Sequence, residues 1–187
     1  MVEVVFIGPS ECDRERESRE RDIDLLWKTL VSTPGFSSPK TQLVLSSAID
    51  LFREALNCYQ NGAYMATCAM CRASVEAAIY LALTRIMKNE YEAEVKLDYV
   101  RARWDCIWHL AFEKLNLPTE LQKEIDKIRE RGNFALHYGQ RLDKKTSNLK
   151  TPKPITLWIN REKALETLRK TVRILRIVIG KLHSRTK

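Results

Sequence analysis

The 187-residue chain has no long apolar run. Its longest uninterrupted apolar stretch, residues 77–83, is far short of the roughly 20 residues that cross a bilayer, and the N-terminus lacks a basic-then-apolar signal pattern. A soluble protein that stays in the cytoplasm is expected. The five cysteines (Cys12, Cys58, Cys68, Cys71 and Cys106) are an odd count, which fits a reducing compartment better than a disulfide framework. Cys68 and Cys71 have metal-like spacing, but the sequence offers no second Cys-x2-Cys and no His-x3-5-His pair to complete four ligands. No metal and no cofactor are expected. A Gly-rich phosphate loop, a Ser/His/Asp set and a His-Glu-x-x-His motif are all missing, which excludes the common nucleotide-hydrolysing, serine-hydrolase and zinc-protease patterns. The four tryptophans do not alternate with basic residues, so no base-stacking platform is read from them.

What is present is enough apolar material, 44% of the residues, to bury one core, and an uneven charge. Residues 139–187 carry 14 Lys/Arg against 3 Asp/Glu, a net +11, which leaves −3 for residues 1–138 out of the total of +8. The basic character is a C-terminal property. Such a patch attracts polyanions, RNA or DNA phosphates above all, without reading sequence; the plainer alternative is a solvated helix face.

The apolar periodicity is helical almost throughout. Residues 2–7 read as a short strand or extended arm. A charged helix capped by Ser10 or Asp13 then places Ile23, Leu26, Trp27 and Leu30 on one face, and Pro34-Gly35 with Pro39 ends it. The next helix is built on Leu43, Leu45, Ala48, Ile49, Phe52, Leu56 and Tyr59 and stops at Asn61-Gly62. Residues 63–88 form a helix that is apolar nearly all round, hence central, with Arg72 and Glu76 isolated inside it. Further helices are expected over 97–115, from Pro118 or Thr119 up to a loop beginning at Gly139, and from an Asn160 cap to the C-terminus. The run 155–159 is a candidate to pair with residues 2–7. The fold class is therefore all-α, an up-and-down bundle of four to five core helices with an extra N-terminal helix and a short arm. Residues 1–38 form an N-terminal extension and 39–187 the helical domain.

One segment carries a chemical suggestion. At 100° per residue, His137, Asn133, Glu130 and Asp126 share a polar helix face with Arg129 at its margin, while Arg131 lies about 120° away from His137. Pairing Arg131 with His137 in one chain requires the helix to bend or end near Gly132; otherwise a partner chain supplies the missing group. On the last helix Arg169, Arg173 and Arg176 form an outward stripe, the candidate nucleic-acid-binding residues. For His137 the structural alternative is a histidine stabilised by a helix C-terminus.

Two stretches resemble a known family. Glu54-Ala55-Leu56, Gly62-Ala63-Tyr64 and Arg72-Ala73-Ser74-Val75-Glu76 form one, and Ile128-Arg129, Gly132-Asn133 and His137 the other. Together they are similar to the HEPN superfamily, in its DUF4145-like branch, over about residues 40–140. The resemblance implies a four-to-five-helix bundle that commonly dimerises, pairing two copies of an Arg-x4-6-His motif at the interface. Active members are metal-independent endoribonucleases, found in prokaryotic toxin-antitoxin and antiviral defence systems, so an antitoxin or other protein partner comes with it. Other members serve as RNA-binding or protein-interaction modules. Residue by residue, His137 matches the motif histidine and Asn133 the polar residue ahead of it. Arg131 matches the arginine, with Arg129 the other candidate, and Glu76 matches an acidic residue that orients it. Gly132 stands where the active form usually has its arginine. The chemistry needs a group titrating near neutrality to activate a ribose 2′-OH, and a fixed cation for the developing charge.

Overall fold

The computed structural model describes residues 10–91, 110–145 and 159–184, with side chains for 13–87, 110–136 and 159–184. All regular structure among them is helical: α1 (Ser10–Val31), α2 (Pro39–Gln60), α3 (Tyr64–Tyr91), α4 (described over 110–114), α5 (Glu120–Lys145) and α6 (Arg161–Ser184). The expected arm at 2–7, its partner run up to residue 158, and most of the expected 97–115 helix lie outside the described residues.

Several helix ends follow directly from local chemistry. Between α1 and α2 the Phe36 amide donates to the Thr33 carbonyl at 2.9 Å, with Pro34 and then Gly35 at φ +86° in the middle of the turn. Proline presets the first central position and only glycine takes the second without strain. After α2, the Ala63 amide reaches the Cys58 carbonyl at 2.8 Å and that of Gly62 (φ +74°) reaches Tyr59 at 3.0 Å. This Schellman closure reverses the chain in three residues, so α3 packs back along α2. Asn116 at φ 47° closes α4 the same way, its neighbour Leu117 donating to Phe112 at 3.1 Å. At the start of α6, Asn160 Oδ1 accepts from the Lys163 amide at 3.0 Å, as its sequence position predicts.

The central helix is α3, packed against α2, α5 and α6. Cys68, Cys71, Val75, Ala78, Ile79, Ala82 and Leu83 are buried along it. By length and composition Tyr64–Met87 could span a membrane, although no uninterrupted apolar run in it does; more than half of that stretch is buried inside the bundle. Leu121, Ile125 and Ile128 of α5 and Leu168, Val172, Leu175 and Ile179 of α6 complete the core on the expected stripes. Leu26 and Leu30 bring α1 into the same core. A polar clamp fixes it there: Tyr59 donates to Asp22 at 3.0 Å, and Arg161 donates to Asp22 at 3.1 Å and to Ser18 at 2.6 Å.

Three sequence expectations are corrected. Leu43 is 83% exposed, because the buried stripe of α2 runs through Leu45, Ala48, Ile49 and Phe52, and a residue two before Leu45 lies about 200° round the helix. α3 continues to Tyr91. Most consequential, α5 runs on to Lys145, so residues 129–137 lie inside a helix rather than at its end. Gly139 costs about 1 kcal/mol in a helix interior, and the helix-favouring residues that follow it, among them Gln140, Arg141, Leu142 and Lys144, carry the helix past it.

Candidate functional site on the seam of α3 and α5

The isolated charges of α3 meet α5 at its glycine. Arg72 donates through Nε to Glu76 Oε1 at 2.7 Å and through Nη1 to Asn133 Oδ1 across the seam. Glu76 is buried and Arg72 mostly so, with 20% of its side chain exposed. Asn133 satisfies a donor that the carboxylate does not use, which a buried pair requires to be stable. Gly132 makes the approach feasible: a Cβ there would stand 2.6 Å from Arg72 Cβ and 2.7 Å from its Cδ. Glycine at position 132 is thus a packing requirement of this seam.

Arg131 belongs elsewhere. It donates to the Lys163 carbonyl at 2.9 Å, to Thr167 Oγ1 at 2.8 Å and to Glu166 Oε2 at 2.5 Å, all on α6. Glu166 also accepts from Lys170 at 2.5 Å and from Lys127 at 2.9 Å. The lysine bond first and the Arg131 bond second hold its carboxyl far below the usual range, against a smaller opposing effect of burial. Thr167 in turn accepts weakly from Cys68 at 3.7 Å. Burial pushes the thiols of both Cys68 and Cys71 up, so neither is a ready thiolate.

The structure therefore brings Glu76 and Asn133 together through Arg72, and sends Arg131 to a separate cluster. In this geometry Glu76 pairs with Arg72 rather than orienting Arg131. Arg129 is half-buried on α5. Because α5 is continuous, Arg129, Asn133 and His137 follow one another at four-residue steps, about 6 Å of rise each. His137 is in the helix, but its side chain lies outside the described residues. Arg169, Arg173 and Arg176 are exposed on α6. Arg173 bonds Glu124 at 2.6 Å and Arg176 donates through Nε to Thr33 Oγ1 at 3.2 Å.

Sequence reasoning singled out the Arg72/Glu76 pair without finding its partner. The available signal was two charges alone in an apolar helix together with a small residue on the facing stripe. No protein-family model, curated protein or solved structure matches the chain.

Proposed function

We propose that the chain is a HEPN-like, RNA-directed protein that works as a cytoplasmic homodimer and cleaves RNA without a metal at a site shared between two copies. The observation that supports this most is the register of α5, which steps Arg129, Asn133 and His137 along one continuous helix at four-residue intervals, with Asn133 bonded to Arg72 of the buried Arg72–Glu76 pair. A charge pair costs stability inside an apolar helix, and in this reading the pair is retained because it positions Asn133. In this reading His137 removes the ribose 2′-OH proton, the 2′ oxygen bonds to the neighbouring phosphorus as its bond to the 5′ oxygen breaks, and the 5′ oxygen takes a proton from solvent water, giving a 2′,3′-cyclic phosphate. Asn133, held by Arg72, orients the phosphate or His137. Arg129, which stands one step of the same register before Asn133, supplies the cation. An antitoxin or other protein partner is part of the same reading.

A second reading, a non-catalytic nucleic-acid-binding or protein-interaction module, is favoured by one observation: Arg131 is engaged with α6 through both of its Nη groups. Incubating purified protein with structured and single-stranded RNAs in excess chelator separates the two. The first reading expects cleavage that survives the chelator and is lost in His137→Ala while the helical content is kept. Absence of cleavage by the wild-type protein, with binding that survives His137→Ala but not charge reversal of Arg169, Arg173 and Arg176, establishes the second.

A further inference from the structure

The last turns of α6 run beside the turn that joins α1 to α2, and together they enclose an open groove of about 410 Å³. That falls at the lower end of small-molecule sites, about 300–1,000 Å³. Its floor is apolar, Pro34 from the turn and Ile177 from the helix. Gly180 leaves a notch in it, since a Cβ there would meet no atom within 4 Å. Arg173 and Arg176 stand on its rim with His183 at the helix end, and among the described residues no carboxylate lines it.

The groove is fixed at both sides. A Cβ on Gly35 would lie 2.5 Å from Cβ and Cγ of His183, so the turn and the helix end are in closest packing. Arg176 is oriented by the bond from its Nε to the Thr33 hydroxyl. That acceptor is neutral, and among the described residues no carboxylate pairs with Arg176, so it keeps its full charge and both Nη groups for a ligand. Arg173 differs, because Glu124 already balances it.

We propose that this groove binds a nucleotide, its phosphate on the Nη fork of Arg176 and its base over Pro34 and Ile177 with an edge in the Gly180 notch. A guanidinium fork matches two phosphate oxygens, and an apolar floor rewards a ligand with a flat apolar face over bare phosphate. A free nucleoside monophosphate and a single nucleotide of an RNA strand offer the same chemistry. Nothing in the groove involves His137 or Asn133, so binding here and cleavage there are measured separately.

Calorimetric titration of the full chain with adenosine 5′-monophosphate, adenosine, inorganic phosphate and a short single-stranded oligoribonucleotide tests this. The monophosphate binds, and adenosine and inorganic phosphate each bind at least about tenfold more weakly, because each lacks half of the recognised chemistry. Arg176→Gln weakens the monophosphate by about tenfold or more. Gly180→Leu fills the notch and abolishes binding with no fall in melting temperature. Oligonucleotide binding that is tighter than the monophosphate's and sensitive to both substitutions identifies an RNA strand as the source; an oligonucleotide indifferent to them, beside a sensitive monophosphate, identifies the free nucleotide. If neither ligand binds, or if both bind Arg176→Gln and Gly180→Leu as they bind wild type, the groove is not a nucleotide site.

Discussion

Gly132 and Gly180 both lie inside helices, and a methyl group at each has opposite consequences. At Gly132 it would collide with Arg72 Cβ, an atom fixed to the α3 backbone that cannot swing aside as the far end of the side chain could. Gly132→Ala therefore pushes α3 and α5 apart and strains the Arg72 contacts to Glu76 and Asn133. Overpacking of this kind costs about 1–3 kcal/mol, more than the 0.5–1 kcal/mol of helix propensity gained. At Gly180 the methyl meets nothing, so only the propensity gain remains, about 0.5–1 kcal/mol. Paired denaturant titrations should show the first variant less stable than wild type and the second more stable. Equal shifts in the two would mean that the seam at Arg72 is not close-packed.

At the scale of elements, the helix starts and stops written in local chemistry were legible in the sequence: Asn160 as a cap, Asn61-Gly62 as a closure, Pro34-Gly35 as a turn. The end of α5 was not, because a glycine reads as a stop while the residues after it decide whether the helix continues. Of the candidate site, the isolation of Arg72 and Glu76 was visible, but their partner Asn133 and the role of Gly132 depend on how two helices cross. No period within one helix records that. The tie between α5 and α6 was likewise invisible, since it gathers Lys127, Arg131 and Lys170 around Glu166 from two helices. It leads to a pH prediction. The folded chain protonates Glu166 at lower pH than the unfolded chain does, so acid protonates the unfolded state first. The contribution of this cluster is complete above the ordinary carboxyl value of 4.5 and is lost as pH falls below it. Because Glu166 is 40% exposed, solvent screening keeps the effect modest. Melting temperatures of wild type and Glu166→Gln should converge as pH drops below that value and separate above it. A constant gap across the range would show that the carboxylate charge contributes nothing.

For the whole molecule, charge and packing divide the labour. The buried faces of α2, α3, α5 and α6 hold one core that includes α1, while the net +11 of residues 139–187 gives the C-terminal part a long-range attraction for polyanions. Such attraction is weakened by salt and does not by itself imply chemistry. The four-residue register of Arg129, Asn133 and His137 along α5 is what raises the proposed reading from binding to cleavage, and the 2′-OH is the group on which that reading depends. The most direct measurement uses one RNA strand and the same strand carrying a single 2′-deoxy residue at the cleaved position, both incubated with wild-type protein and chelator. The account predicts that the all-RNA strand is cut to a 2′,3′-cyclic phosphate end while the substituted strand stays intact at that position. Cleavage of both strands at that position, or of neither, would contradict it.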